Sequence, residues 1–256
     1  MLEWIHNFLN RLTDRVQAVA TGNSKSREAR VKSGVPQGSV LGPIFNLIHI
    51  ADIDSELTHA STSSFADDTR VLMKITGDLN CERLQDDLLT IYDWALVNNM
   101  QFNGTKFEVT RYRVGTETGM PHRYLASDGS EIVEKQLVRD LGVLMSTEAT
   151  FDAHIEEIVA RSRQRMGWIW RTFRTREAAP MITLFRALVL PNLEYCCQLW
   201  SPPKAGAVRK LEAVQRTFTY RISGMRELNL NYKERLKHLG LYSQERRRER
   251  YIILYT

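Results

Sequence analysis

Cysteine is scarce in this chain: Cys81, Cys196 and Cys197 are the only three among 256 residues. An odd number without a CxxC pair excludes a disulfide framework, and six histidines scattered without metal-ligand spacing argue against a zinc site. Cys196 and Cys197 fall in the apolar run "LEYCCQLW", the setting of buried thiols in a reducing compartment. Long apolar runs are missing as well. None approaches the roughly 18 residues that span a bilayer, and the opening "MLEWIHNFLNRLTDR" has no small-residue cleavage site. The sequence thus predicts an intracellular protein of nucleus or cytoplasm, with no membrane partner.

What is present is ordinary in amount and uneven in placement. Apolar residues make up 43% and charged residues 25%, values of a globular chain. The net charge of +5 hides an asymmetry: residues 1–150 hold 15 Lys and Arg against 20 Asp and Glu, whereas residues 151–256 hold 20 against 10. A strongly basic second part suits a polyanionic partner; solvated helix faces account for it equally well.

Periodicity divides the chain in the same way. Trp4, Ile5, Phe8, Leu9 and Leu12 form a helical stripe, followed by two short runs around Thr21-Gly22-Asn23-Ser24, a hairpin signal. Ser39 is a good N-cap for a helix carrying Leu41, Ile44, Leu47, Ile48 and Ala51, with Pro43 tolerated in its first turn. Leu84, Leu88, Ile91 and Ala95 mark another helix. Asn103-Gly104 and Asp128-Gly129 each sit between short runs as hairpin turns. This α+β pattern stops near Ser146. From Thr147 the signals are helical, separated by Pro180, Pro191, Pro202-Pro203 and Gly224. Residues 1–146 and 147–256 are therefore expected to form two domains.

Two stretches carry chemistry. In "SSFADDTRVLM", Asp67 and Asp68 are adjacent, and neighbouring strand residues point to opposite faces, so the pair fits a two-residue hairpin tip. Two carboxylates held close repel unless a cation joins them, and magnesium suits hard oxygen ligands shared with phosphates. Taken alone, "ADD" is also the composition of a polar turn. In "SGVPQGS", Gly34 and Gly38 let the backbone pass close to a ligand, Pro36 stiffens the loop, and Gln37 offers a donor and an acceptor before a helix N-terminus. A tight turn before a core helix has the same composition.

Together, "SGVPQGSVLGP" and "FADDT" resemble the reverse transcriptases of non-long-terminal-repeat retrotransposons, most closely the jockey-like group of animal mobile elements. The resemblance extends to "DWALVNNMQFNGTKFEV", "RDLGVLMS", "LPNLEYCCQLWSP" and "LEAVQRTF". It implies a partial right-hand polymerase palm, an antiparallel sheet with helices, followed by an all-helical, basic, thumb-like region. It implies an RNA-directed DNA polymerase using two-metal nucleotidyl transfer, with Mg2+ or Mn2+ as cofactor. RNA template, DNA primer and deoxynucleoside triphosphates would be its partners.

Residue by residue, the resemblance assigns catalytic metal to Asp67, with Asp68 as the less direct ligand. Gly34, Pro36, Gln37 and Gly38 would lie beside the incoming nucleotide and template, and Lys106 near the triphosphate. "RDLGVLMS" would support the primer end. From the positive charge of the second part, not from the resemblance, Arg161, Arg163, Arg165, Arg246, Arg247 and Arg248 would meet nucleic acid, the alternative being exposed helix arginines. The family carries a further catalytic aspartate upstream of "WIHNFL", so the resemblance also implies an amino-terminally truncated site and a chain that does not extend a primer by itself. A non-catalytic remnant that binds nucleic acid through its basic helices is the competing expectation.

Overall fold

The computed structural model describes residues 16–30, 38–112 and 122–255. The helix expected from Trp4 to Leu12 lies outside them. The described chain is mixed helix and sheet, and each of its small antiparallel sheets has two strands. It divides into two compact units, the first running to Val109 and taking in the segment that ends at Val133, the second running from Glu134 onward.

The first unit opens with nested ribbons, β1 (Val16–Gln17) on β4 (Ala29–Arg30) and β2 (Ala20–Thr21) on β3 (Ser24–Lys25). Gly22, at φ 58°, turns the inner ribbon in the left-handed region open to glycine, as its sequence predicts. Helix α1 (Gly42–Ile50) has Pro in its first turn, and Ser39 Oγ accepts from the Gly42 backbone N–H at 3.1 Å. Its expected apolar stripe is not a core face. Ile50 is buried, while Ile44, Leu47 and Ile48 are 49%, 52% and 65% exposed.

A short helix α2 (Ile53–Glu56) leads to the hairpin β5 (Ser61–Phe65) and β6 (Asp68–Leu72), followed by the long helix α3 (Asp78–Val97). Helix α3 buries the face expected of it, with Leu88, Ile91 and Ala95 joined by Cys81, Trp94 and the charged Asp87. Ile50, Ile53, Ile91, Trp94 and Ala95 form one small core, onto which Val71 of β6 packs. A second cluster gathers Leu88, Tyr124, Ala126 and Ile132, with Phe107 against it. The expected hairpin at Asn103-Gly104 is instead a 3-10 turn over Gly104–Lys106. Phe107 stacks on Tyr92 at 5.2 Å, and the strand after it, β7 (Glu108–Val109), pairs with β8 (Val133–Glu134). The Asp128-Gly129 turn forms as expected, with Asp128 accepting from Ser130.

In the second unit, β9 (Leu137–Asp140) and β10 (Val143–Ser146) close over Leu141 and Gly142, both at positive φ as a tight primed turn requires. Val143 enters the helical core, so this hairpin groups with the helices beyond Ser146 and Thr147. Those helices are α4 (Asp152–Thr172), α5 (Ala178–Leu184), α6 (Leu190–Glu194), α7 (Cys197–Trp200), α8 (Ala205–Tyr220), α9 (Tyr232–His238) and α10 (Gln244–Tyr255). Pro180 and Pro191 do not separate helices here; both sit in first turns, where no N–H is needed. A π-helical stretch, Phe185–Val189, precedes Pro191 and widens the turn that its ring would otherwise strike.

Ile155, Ile158, Val159, Met166, Val189, Leu211, Val214, Phe218 and Ile222 all enter one continuous core with Met181, Phe185, Leu193 and Trp200. Full burial of a side chain such as Phe185 contributes roughly 1.5–3 kcal/mol. Cys197 is buried, which pushes its thiol pKa up, and Cys81 is buried too; Cys196 is partly exposed.

Candidate functional site

The aspartate pair lies on the β5–β6 hairpin, with the loop one residue earlier than the sequence suggests. Ala66 and Asp67 form the two-residue tip, and Asp68 is the first residue of β6, opposite Phe65. The shift follows from backbone geometry. Ala66 takes φ 54°, the left-handed conformation that closes the loop, at a cost of about 1 kcal/mol for a residue with a Cβ.

Below the tip the register pairs Ser64 with Thr69, Ser63 with Arg70 and Thr62 with Val71. Alternation then places Asp68 on the same face as Ser63, Phe65 and Arg70, and Val71 on the opposite face, toward the core. Asp67 and Asp68 are both exposed. A hydroxyl bond of 3.0 Å between Ser64 and Thr69 crosses the strands just beneath them.

The base of the hairpin is fixed by carboxylates that composition does not single out. Asp87 on α3 is 2% exposed and accepts three backbone N–H groups, from Thr58 at 3.1 Å, His59 at 3.0 Å and Ala60 at 2.6 Å. These are the last residues before β5. Asp54 accepts both the N–H and the hydroxyl of Thr62, at 3.1 and 2.5 Å, and those bonds hold its carboxyl below the usual range. Trp94 Nε1 donates to Asp52 at 3.1 Å, joining α2 to α3. The tip stands free in solvent while its foot is clamped to a helix. Asp87 was detectable in the sequence, because it falls on the buried stripe of Leu84, Leu88 and Ile91.

Two adjacent, exposed carboxylates are a donor set that fits a hard divalent cation whose remaining ligands are water and phosphate oxygens. Among the described residues, no third acidic, His or Cys side chain joins them to complete a protein cage.

Of the glycine loop, Gly34, Pro36 and Gln37 lie outside the described residues. Gly38 is at φ 80°, a left-handed conformation, with nothing within 4 Å of where a Cβ would stand. Lys106 ends the 3-10 turn and is exposed.

The six arginines expected to meet nucleic acid divide. Arg161, Arg163 and Arg165 are exposed on α4; Arg161 pairs with Glu157, and Arg165 donates to the Leu188 carbonyl at 3.0 Å. Arg246 is exposed, its guanidinium 5.2 Å from the Tyr242 ring. Arg247 and Arg248 are structural instead. Arg247 makes a two-pronged pair with Glu194, which raises its pKa, and Arg248 is 2% exposed, with burial lowering its pKa. One turn of helix brings positions 247 and 248 against the core and leaves 246 outside.

The "RDLGVLMS" hairpin is held by Tyr195, whose hydroxyl donates to the Leu141 carbonyl at 2.9 Å, and by His154, whose Nδ1 accepts from the Leu144 N–H at 3.3 Å.

A family profile described as reverse transcriptase (RNA-dependent DNA polymerase) matches residues 1–163. Among curated proteins, the chain is 26% identical over 221 residues to the probable RNA-directed DNA polymerase from transposon X-element of Drosophila melanogaster, covering 83% of this chain and 24% of that protein. It is 26% identical over 226 residues to the RNA-directed DNA polymerase from mobile element jockey of the same species, with the same coverage of 83% and 24%. Over 265 residues it is 25% identical to the probable polymerase from transposon BS, covering 94% of this chain and 29% of that protein. The chain therefore spans about a quarter of the length of these relatives. No solved structure matches it significantly. The chain belongs to the reverse transcriptase (RNA-dependent DNA polymerase) family, within the group resembling non-long-terminal-repeat, jockey-like retrotransposon enzymes.

Proposed function

We propose that the chain is a polymerase part of a retrotransposon reverse transcriptase, and that the β5–β6 hairpin is its metal-holding element. The observation that carries this is the pairing of two exposed carboxylates at a tip with a foot clamped by Asp87 and Asp54. Residues to Ser146 serve as a partial palm and the helices from Thr147 as a thumb-like region.

Asp67 and Asp68 are the residues that would hold Mg2+ or Mn2+. The bound ions would supply activation of the attacking hydroxyl and stabilisation of the leaving oxygen in nucleotidyl transfer. What the chain itself contributes is position: the clamped foot limits how far the tip carboxylates move, and their exposure leaves room for a triphosphate. In this reading Gly34, Pro36, Gln37 and Gly38 would meet the incoming nucleotide and the RNA template, and Lys106 would meet the triphosphate. The Leu137–Ser146 hairpin steadies the DNA primer end.

Calorimetric titration with a deoxynucleoside triphosphate tests this reading. Binding is expected with Mg2+ and is lost in the double variant Asp67→Asn, Asp68→Asn. Equal binding without the metal, or in that variant, contradicts it.

A further inference from the structure

The helical unit contains a charged cleft that the hairpin chemistry does not use. A cavity of about 370 Å³ opens between Trp170, near the end of α4, and the turn that follows α8. Three arginines line it, Arg176, Arg221 and Arg226, against a single lining carboxylate, Glu227. All of these residues lie beyond position 163, where the family match ends.

None of the three arginines forms an ion pair among the described residues. Elsewhere in this unit Arg139 and Arg161 pair with Glu157, Arg247 with Glu194, Lys204 with Asp152 and Lys210 with Glu156, whereas Arg163, Arg165 and Arg246 are exposed on helix surfaces. Arg176 is fixed by donation to the carbonyls of Trp170 and Thr175, each at 2.8 Å, and of Phe173, with its guanidinium 4.9 Å from the Trp170 ring. Carbonyls orient a guanidinium without neutralising it, so its charge remains in the wall. Arg221 and Arg226 are exposed at the mouth. Concave walls bearing one sign of charge concentrate the field that draws an anion.

Two further features narrow the ligand. Arg226 lies 5.1 Å and the buried Arg235 5.5 Å from the ring of Tyr220, which is 48% exposed, so a partly open aromatic ring with cations against it adjoins the cleft. Gly224, at φ 79°, has no atom within 4 Å of a would-be Cβ, leaving the backbone open to close approach. Anion-binding arginines beside an exposed ring match the needs of a strand whose phosphate enters the cleft while its unpaired base stacks outside.

We propose that this cleft binds the phosphodiester backbone of a single-stranded nucleic acid, with Arg221 and Arg226 on a phosphate, Arg176 as fixed charge behind them, and Tyr220 as the base platform. The site shares no residue with the aspartate hairpin and requires no metal, so this reading and the polymerase reading fail independently.

Anisotropy of a short labelled oligouridylate, titrated with the whole chain without divalent metal over a salt series, tests the proposal. The double variant Arg221→Gln, Arg226→Gln is expected to bind about tenfold more weakly, and its log-affinity against log-salt slope to shrink by about 0.7, the value for one lost phosphate contact. The lysine counterparts Arg221→Lys, Arg226→Lys keep the slope. Tyr220→Leu is expected to lose about fivefold in affinity at unchanged slope. Circular dichroism and melting of each variant confirm that the fold persists. Unchanged affinity and slope in the glutamine double variant overturn the proposal. So does a duplex that competes as well as its own single strand, or polyglutamate that displaces the strand, which would point to an acidic protein partner instead.

Discussion

The Asp87 carboxylate accepts the backbone N–H of Ala60 at 2.6 Å, so a buried charge on α3 holds the residue that immediately precedes the strand bearing Asp67. With the bonds from Thr58 and His59, three otherwise unmatched N–H groups depend on one side chain. Asp87→Asn replaces one accepting oxygen with an N–H2 that faces those donors. It is expected to destabilise the first unit by about 1–3 kcal/mol in urea unfolding. A change within a few tenths of a kcal/mol would show that the clamp does not matter.

Ala66 is the strained residue of the tip, at φ 54°. Ala66→Gly removes the Cβ that disfavours this conformation and is expected to raise stability by about 0.5–1 kcal/mol, net of glycine's greater freedom in the unfolded chain. A lower urea midpoint for the glycine variant would refute the left-handed tip.

His154 connects stability to pH. Burial lowers its pKa from the ordinary 6.5, the Glu157 charge opposes this, and the Arg139 and Arg161 charges reinforce it. Its Nδ1 accepts from Leu144, which requires the neutral ring. The unfolded state therefore binds this proton more readily than the folded state. The stability due to neutral His154 is complete above 6.5 and is lost as pH falls from 6.5 toward the lower folded value. Melting of the helical unit should fall through this window in the parent chain and stay flatter in His154→Gln. Parallel pH profiles would remove the assignment.

Arg247 separates a structural arginine from a nucleic-acid contact. Its pair with Glu194 is only partly exposed, 27% and 11% for the two side chains. Arg247→Gln is expected to cost about 1–3 kcal/mol of stability while leaving the salt dependence of oligonucleotide binding unchanged. A smaller salt slope at full stability would return Arg247 to the binding surface.

Features set by local chemistry were legible in the sequence. The Gly22 and Asp128-Gly129 turns follow from the residues that make them, and α3 and α8 follow from stripes that meet a core. The tip of the aspartate hairpin was displaced by one residue because strand pairing outweighed alanine's reluctance to turn left-handed. Ile44, Leu47 and Ile48 have a helical spacing that says nothing about whether a partner surface covers them. At Asn103-Gly104 a good turn dipeptide gave way to tertiary contacts, the stacking of Phe107 on Tyr92. Arg247 and Arg248 looked like surface charge because a run of three arginines does not reveal which face of its helix meets the core. Asp87 was hidden in the opposite way, as one of two adjacent helix aspartates, although its place in the apolar stripe was the clue.

The most direct measurement of the central claim is Mn2+ relaxation of backbone amide signals, with the metal alone added to the chain. Selective broadening of Ala66, Asp67, Asp68 and Thr69, abolished in Asp67→Asn, Asp68→Asn and weakened in Asp87→Asn, is the predicted result. Broadening that spares the tip, or that persists in the double variant, would contradict a metal-holding hairpin.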